Sequence, residues 1–325
     1  MPQRPSLEDR LAALEGIRTD LPAPEAIEQL RKAIAAKSNH VAARAASLAA
    51  EAGLSQFVPD LLKAFDRFMD RPAATDKGCA AKIAVAEALD RLECDDWSPY
   101  ERGIAHVQLE PVYGGKADTA VQLRSHCAMA IARRPHPHKL MLLATLLADR
   151  EAPARQAAAR ALGFTEEPSA LPLLRHKQLC GDAEPAVIGE CLLAMLRVDA
   201  QQSVPIVADA MKHGDAATAE LAAVALGESR LADALPLLID WWEHTLDQEL
   251  RRTAMLAMAM LRSEEAIGFL LEQVTDGNAQ TARTAIESLG IHRHDRAILD
   301  RARLAAAERE DLDLTEVVRQ AFQIG

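Results

Sequence analysis

The sequence contains few aromatic residues, and this scarcity is the first indication of its fold class. Aromatic side chains make up 3% of the chain, whereas alanine is its most frequent residue and fills about one position in five. The faces of β-sheets draw on aromatic and β-branched side chains, while alanine is the strongest helix former. The composition therefore predicts an all-α protein.

Cysteine is also scarce, and long apolar runs are absent. An odd number of cysteines, five, without a Cys-x-x-Cys pair argues against a disulfide framework and against a zinc site. The longest apolar runs, such as Leu140–Ala148, are too short to span a bilayer. The charged N-terminus lacks the apolar stretch of a signal peptide. We expect a cytoplasmic protein that does not contact membranes.

The charge of the chain is negative and unevenly distributed. The net charge of −11 argues against a general nucleic-acid binder. Residues 119–180 hold nine basic and four acidic side chains, a net of +5, whereas residues 181–281 hold six and 17, a net of −11. We interpret this as a set of solvated faces or as a two-signed binding surface, in which a basic surface of a partner protein would face residues 181–281.

A large apolar residue recurs along the chain at a nearly constant spacing and anchors an internal repeat. The interval between successive anchors is about 32 positions, and one interval is about ten positions longer. The anchors are Leu89, Ile131, Leu162, Met195, Leu226, Met258 and Leu289. Alanine or serine directly precedes each anchor, which lets helices of neighbouring repeats approach closely. The spacing predicts stacked units of two helices each.

Proline and glycine mark the expected helix boundaries. An apolar residue followed by proline predicts the start of the second helix in four units, because the first N–H of a helix needs no partner within it. These prolines are Pro59, Pro172, Pro205 and Pro236. Gly163, Gly227 and Gly290 follow the anchors, and we expect them to end the first helices as left-handed caps.

Acidic and basic residues also recur at fixed distances from the anchors. Acids precede five anchors at one constant interval, and bases precede four anchors at a shorter constant interval. The acids are Asp76, Asp118, Asp149, Asp182 and Asp276, and the bases are Lys82, Arg124, Arg155 and Arg251. We interpret this Asp/Arg ladder as helix caps and ion pairs between repeats. The alternative is a row of charges that binds a ligand.

One segment shows the repeat most completely. Residues 149–163 read DREAPARQAAARALG, with Asp149, Pro153, Arg155 and a closing Ala-Leu-Gly. This pattern resembles a HEAT repeat, and the resemblance covers about residues 40–312. The short period is similar to the variety first associated with phycobilisome lyases and favours a bacterial-type protein.

The resemblance implies a right-handed α-solenoid, a superhelix of stacked HEAT-type helical hairpins, that forms a single domain of residues 1–325. We expect capping helices in residues 1–38, about eight repeats in residues 39–312, and a C-terminal capping helix in residues 313–325. Solenoids of this kind serve mostly as scaffolds or adaptors for other proteins, and a few are enzymes.

An insertion interrupts the repeat before Ile131. The additional residues fall in the turn-rich loop of residues 108–118, where Tyr113 and Lys116 are the candidate contact residues. Insertions in solenoids collect on one face and often touch partners. The alternative is a spacer without a contact role.

The second helices suggest further contact residues. Trp241 and Trp242 are adjacent on a helix and point about 100° apart, so we expect Trp242 in the core and Trp241 exposed on the concave wall. An exposed tryptophan is a frequent anchor of protein interfaces. Arg175 and Lys177, close to the change of charge sign, are predicted to lie at the rim of the same interface.

The sequence carries no recognised catalytic motif. HEAT-repeat hydroxylases carry repeated His-Glu pairs, and none of the ten histidines here precedes glutamate. We expect His136, His138, His292 and His294 to be solvated at helix ends, and Cys127 and Cys191 to be buried. No catalytic residue, metal site or cofactor is predicted.

We therefore predict a non-enzymatic scaffold or adaptor that binds a protein on its concave face. The alternative is an accessory subunit of a lyase or protein-modifying enzyme. A nucleic-acid-binding role ranks third because of the net charge.

Overall fold

The computed structural model describes residues 6–309 and 312–323, and the ends of both predicted capping segments lie outside this range. Twenty α-helices and one β-hairpin are present in the described residues. The helices are α1 (Leu7–Gly16), α2 (Pro24–Ile34), α3 (Asn39–Glu51), α4 (Val58–Met69), α5 (Pro72–Thr75), α6 (Ala80–Arg91), α7 (Ser98–Ile104), α8 (Val121–Ala132), α9 (Lys139–Leu146), α10 (Ala152–Phe164), α11 (Leu171–Cys180), α12 (Pro185–Val198), α13 (Ala200–His213), α14 (Ala216–Ser229), α15 (Ala234–His244), α16 (Gln248–Leu261), α17 (Glu264–Asp276), α18 (Ala279–Leu289), α19 (Arg296–Glu308) and α20 (Leu312–Ala321). The strands are β1 (Leu109–Val112) and β2 (Gly115–Asp118). The predicted all-α solenoid of helical hairpins is confirmed.

The chain divides into two compact units, residues 1–161 and residues 162–325. In the first unit α3 packs against α1 and α6, and α6 packs against α8. Helices α2, α4 and α7 form a second layer against these first helices. The hairpin of β1 and β2 lies between α7 and α8 in the chain, so the predicted insertion is a short antiparallel ribbon. The expectation of a single domain stays a prediction.

The second unit repeats one hairpin arrangement five times. Helices α12, α14, α16, α18 and α20 stack in chain order, and each packs against the helix that precedes it. Alanine, leucine and methionine fill the core between the layers, as the anchor pattern requires. Because each hairpin contacts its neighbours, the stack buries a continuous core that a lone hairpin could not form.

Small residues bring successive first helices of the second unit into close contact. A Cβ on Gly227 would lie 2.5 Å from the carbonyl oxygen of Ala257, and one on Gly163 would lie 2.9 Å from the Cβ of Ala194. Gly290 faces Ala321 in the same way. The prediction of left-handed caps at these glycines is wrong, because Gly163 and Gly227 lie inside helices and Gly290 has helical dihedral angles. Glycine occupies these positions because the next helix lies too close to leave room for a side chain.

The proline signature marks three of the four predicted helix starts. Pro59, Pro172 and Pro236 lie within the first three residues of α4, α11 and α15. Pro205 lies inside α13, which begins earlier because the side chain of Asp199 caps it by accepting from the backbone N–H of Gln202. The cap thus starts α13 five residues before the proline that was predicted to mark its first turn.

Buried ion pairs occupy the Asp/Arg ladder of the first unit, and one of them joins neighbouring repeats. The Nζ of Lys82 lies 3.0 Å from Oδ2 of Asp76, and both side chains are fully buried. Arg124 pairs with Asp118 of its own repeat at 2.7 Å and with Asp149 of the next repeat at 2.9 Å. The predicted contact between repeats is therefore present at Arg124.

The remaining bases of the Asp/Arg ladder have other partners. Arg155 donates to the carbonyl oxygen of Asp149, and Arg251 donates to that of Trp242. Asp182 accepts from the backbone N–H of Glu184, two residues on and next to the start of α12. The prediction that Asp276 caps a helix is wrong. Asp276 is the last residue of α17, and Asn278 caps α18 by accepting from the N–H of Thr281.

Candidate functional site

The hairpin of residues 109–118 presents the predicted contact residues to solvent. Tyr113 and Gly114 form its two-residue turn, and Gly114 adopts the left-handed conformation with φ +85°. Tyr113 is fully exposed, and Lys116 on β2 is exposed as well. Both residues are therefore exposed in the inserted segment, as a contact role requires.

A buried carboxylate holds this hairpin in place. Glu110 accepts hydrogen bonds from the backbone N–H of Gly78 at 2.7 Å, from Nε2 of Gln108 at 2.6 Å and from Oγ1 of Thr119 at 2.8 Å. Burial disfavours its charge, but these hydrogen bonds outweigh that effect and lower its pKa. The ribbon is consequently a braced element with a defined orientation.

The sequence did not show which face of β1 turns toward the protein. Glu110 faces the protein, whereas its neighbour Leu109, on the opposite face of the strand, remains 53% exposed. A strand alternates its faces, and hydropathy would place the apolar residues inward. Here Glu110 points inward and Leu109 outward, because three hydrogen-bond donors inside the protein converge on the Glu110 carboxylate.

Arg175 and Lys177 differ from the predicted free rim charges. Both side chains are half-buried on α11. Lys177 Nζ lies 2.8 Å from Oδ2 of Asp182, and Arg175 donates to the side chain of Gln178. A charge that is already paired within its own unit has less capacity to attract a partner.

The prediction that Trp241 is exposed is wrong. Trp241 is 6% exposed and Trp242 is 8% exposed, so both tryptophans of α15 belong to the core. Two adjacent side chains on a helix point in different directions, and here both directions are covered. Helix α15 packs against α13 and α14 as well as against α16.

Both tryptophans nevertheless reach the walls of surface cavities. Trp241 lines a cavity of about 350 Å³ together with Lys212, Asp240, His244 and Thr245. Lys212 Nζ lies 2.6 Å from Oδ2 of Asp240, and this hydrogen bond lowers the pKa of Asp240. The buried indole thus forms the inner wall of a charged, solvent-exposed depression.

The neighbouring Trp242 has a different environment. Its ring meets Phe269 edge-on at 5.8 Å, and the guanidinium of Arg251 lies over it at 4.3 Å. Arg251 also donates to the carbonyl oxygens of Trp242 and Thr245 and so caps the end of α15. The buried Nε1 of Trp242 has no hydrogen-bond partner among the described residues.

Three adjoining cavities define what we term the tryptophan surface. A cavity of about 450 Å³ shares Thr245 with the Trp241 cavity, and it shares Gln248, Arg251, Gln280 and Thr281 with a third cavity of about 230 Å³ beside Trp242. Leu246, which is 91% exposed, lines the middle cavity. The tryptophan surface therefore combines an aliphatic side chain, amides, hydroxyls and charges of both signs over α13 to α18.

This mixture suits contact with a polypeptide. Amide and hydroxyl groups offer hydrogen bonds to a main chain, and Leu246 offers apolar area that no described residue covers. The sequence contained one usable signal, a leucine between the end of α15 and the capping residue Asp247. Lys212 and Gln280 could not be found in this way, because their proximity depends on the stacking of separate repeats.

Histidine, cysteine and acidic side chains elsewhere in the described residues form at most small contacts. Within residues 6–309 and 312–323, no group of three or more His, Cys, Asp or Glu side chains could hold a metal ion. Among the same residues, no helix is both long and apolar enough to cross a membrane. His136 is buried and lies 3.0 Å from Glu101, and His292 lies 2.9 Å from the carbonyl oxygen of Ala259. The expectation of a solvated side chain is wrong for His136, whereas His292 is half-buried.

Four of the five cysteines are buried, including Cys127 and Cys191 as predicted. Burial raises the pKa of Cys191 to about 12 and that of Cys79 to about 12, so both remain thiols at neutral pH. Cys180 is exposed, and its Sγ lies 3.5 Å from Nε2 of His176 one turn earlier. The i, i+4 spacing in α11 was the missed signal for this contact.

A family model described as HEAT repeats matches residues 116–177 and 176–259. No curated protein matches the sequence.

Three solved structures illustrate the distant structural similarity. The CpcE and CpcF complex of phycocyanin lyase from Nostoc sp. shares 16% identity over 76% of this chain and 90% of that chain, with a TM-score of 0.36. Human deoxyhypusine hydroxylase in complex with glycerol shares 17% identity over 88% and 97%, with a TM-score of 0.28. A Kap121p mutant shares 14% identity over 99% and 46%, with a TM-score of 0.41.

Proposed function

Since residues 116–259 consist of HEAT repeats, we propose that the protein is a non-enzymatic scaffold or adaptor that binds another protein at the tryptophan surface. The observation that carries this proposal is the continuity of the three cavities across several repeats. Stacked hairpins form extended surfaces of this kind, which are suited to partners longer than a small molecule. The sequence predicted that the partner binds on the concave face, and we now propose the tryptophan surface as its binding site.

The chemistry of the surface supports a protein partner. Lys212 and Asp240 form an exposed pair at the Trp241 cavity, while the exposed Leu246 lines the middle cavity. Specific interfaces commonly place an apolar contact among polar groups at a rim. The acidic excess of residues 181–281 supports a partner with a basic surface.

The proposal is tested by substituting exposed residues, because replacement of either tryptophan would disturb the core. We expect Leu246→Glu to abolish capture of the natural partner from the host and to leave the melting temperature unchanged. Leu304→Glu is the matched control, since Leu304 is 63% exposed on α19 and lines none of the three cavities. Equal capture by both variants and the wild type would exclude the tryptophan surface as the interface.

The hairpin supplies a second candidate contact for the same function. Tyr113 is fully exposed at the tip of a ribbon that Glu110 braces, and a rigid aromatic side chain costs little entropy on binding. We expect Tyr113→Ala with Lys116→Ala to weaken partner capture without changing stability. If only this double variant loses the partner, the hairpin is the interface.

The runner-up role is an accessory subunit of a lyase or another protein-modifying enzyme. The CpcE and CpcF complex is a phycocyanin lyase, and here the same role would require a catalytic partner. Identification of the captured protein by mass spectrometry distinguishes the two roles, because only the runner-up predicts an enzyme subunit. Nucleic-acid binding remains third because the net charge of −11 repels phosphates.

A further inference from the structure

A basic cavity lies at the end of α16, away from the tryptophan surface. Its volume is about 660 Å³, within the usual range of ligand pockets. The lining residues come from the end of α16, the start of α17, the turn after α18 and the start of α19. Helix α16 has 14 residues, so about 20 Å separates its two ends. The basic cavity is therefore a distinct location in the second unit.

Two arginines, Arg262 and Arg296, line this cavity. Within the described residues, neither Arg262 nor Arg296 forms an ion pair, whereas the nearby Arg301 lies 2.8 Å from Glu264. The left-handed backbone of Arg262, with φ 58°, places this residue directly beyond the last turn of α16. Two guanidinium groups thus offer donors to an incoming acceptor.

The lining of the cavity holds two arginines and one carboxylate. Asp295 is the one carboxylate in the lining, and its Oδ1 accepts from the backbone N–H groups of Ala297 and Ile298 at 3.0 and 3.3 Å. His292 Nε2 lies 2.9 Å from the carbonyl oxygen of Ala259, which fixes the ring at the wall. His294 adds a further imidazole. The donors therefore outnumber the available acceptors.

Aliphatic side chains form the rest of the lining. Ile267 and Ile298 are buried beneath the cavity, and Ile291 is 41% exposed at its edge. A ligand that used the whole cavity would place an apolar group against these isoleucines and an anion against the arginines. This combination describes a short acidic peptide segment with an aliphatic neighbour.

We propose that the basic cavity binds a carboxylate of a partner polypeptide together with an adjacent aliphatic side chain. A carboxylate accepts two parallel hydrogen bonds from a guanidinium, which gives both affinity and orientation. The surrounding charge favours one carboxylate over a long polyanion, because residues 181–281 carry a net charge of −11. The proposal does not depend on the tryptophan surface, and either one can fail alone.

The probe is an array of immobilised heptapeptides that vary Asp, Glu, Leu, Ile and Lys, each with a free or an amidated C-terminus. We expect the full chain to select peptides in which an acidic residue adjoins an aliphatic one. Binding confined to free C-termini would identify the terminal carboxylate as the anion. Retention after amidation would identify a side-chain carboxylate. Absence of any acidic preference on the array would overturn the proposal.

The selected peptide is then measured by fluorescence anisotropy against matched variants. We expect Arg262→Gln with Arg296→Gln to weaken binding by about tenfold or more, since charge-assisted hydrogen bonds are lost. Arg303→Gln is the control, because Arg303 is half-exposed beside Asp300 and does not line the cavity. Equal binding by the double variant and the wild type, or equal weakening by the control, would contradict the assignment.

A peptide variant keeps the test independent of protein folding. Replacing the acidic residue of the selected peptide by Gln or Asn, or amidating its C-terminus where that is the anion, should weaken its binding to the wild type by a similar factor. This comparison leaves the protein unchanged, so loss of structure in the arginine variant cannot imitate it. Unaltered binding of the neutral peptide would show that the cavity does not recognise a carboxylate.

Discussion

The two units of the chain join their repeats by different physical means. In the first unit, the buried Arg124 joins its repeat to the next one through Asp149, while the buried Lys82 pairs with Asp76 inside a single repeat. In the second unit, glycine and alanine bring helices into backbone contact, as at Gly227 and Ala257. Both arrangements occur at fixed positions of a common repeat.

This difference shows that the repeat pattern fixes the positions at which repeats meet, but leaves open whether an ion pair or close helix packing joins them there. A buried ion pair requires full hydrogen bonding to offset the loss of hydration, which Asp76 achieves through the N–H groups of Ala81 and Lys82. Close helix contact requires only the absence of side-chain volume and gains dispersion energy instead. The first unit should therefore be sensitive to charge and the second to volume.

The largest expected effect is the loss of a buried carboxylate. Asp76→Ala leaves Lys82 charged and unpaired in the core, so we expect the free energy of unfolding to fall by about 3–5 kcal/mol. Urea denaturation followed by circular dichroism measures this change, and hydrogen exchange locates it in residues 1–161. A loss below about 1 kcal/mol would show that the pair does not hold the first unit together.

The next effect concerns volume in the second unit. Gly227→Ala would place a methyl group 2.5 Å from the carbonyl oxygen of Ala257, so we expect a loss of about 1–3 kcal/mol through overpacking. Gly268→Ala is the matched control within α17, because no heavy atom would lie within 4 Å of its new Cβ. There alanine should stabilise the helix by about 0.5–1 kcal/mol. Opposite signs in the two melting temperatures support the packing account, and equal signs refute it.

A smaller effect should appear as pH dependence in the first unit. Burial raises the pKa of Asp118, but the hydrogen bonds from Gln108, Ala120 and Arg124 outweigh burial and lower it below its ordinary value. A folded-state pKa below the unfolded one stabilises the protein above about pH 4, and that contribution disappears as the pH falls through the folded pKa. We expect the stability difference between the wild type and Asp118→Asn to narrow between pH 7 and pH 3. A constant difference across this range would contradict the assignment.

The smallest effect should come from an exposed ion pair in the second unit. Lys212 and Asp240 lie 2.6 Å apart, closer than Lys82 and Asp76, yet their side chains are 38% and 47% exposed. Water already solvates both charges, so we expect Lys212→Ala to leave the unfolding midpoint unchanged within error. A loss comparable to that of Asp76→Ala would mean that distance, not burial, decides the strength of these pairs.

The sequence by itself determined the helical class, the repeat period and the small residue that precedes each anchor. These properties follow from local propensity and from the 3.6-residue periodicity, which are properties of a single helix. It also located the hairpin insertion with Tyr113 and the buried positions of Cys127 and Cys191. Each of these features depends on neighbours along the chain.

Only the tertiary structure decided how the repeats meet. The burial of Trp241 and the inward direction of Glu110 depend on elements that are far apart in sequence. The glycine at position 227 shows the reason most clearly. Its sequence position suggests a helix end, but the 2.5 Å approach to Ala257 in the next repeat explains why no side chain fits there.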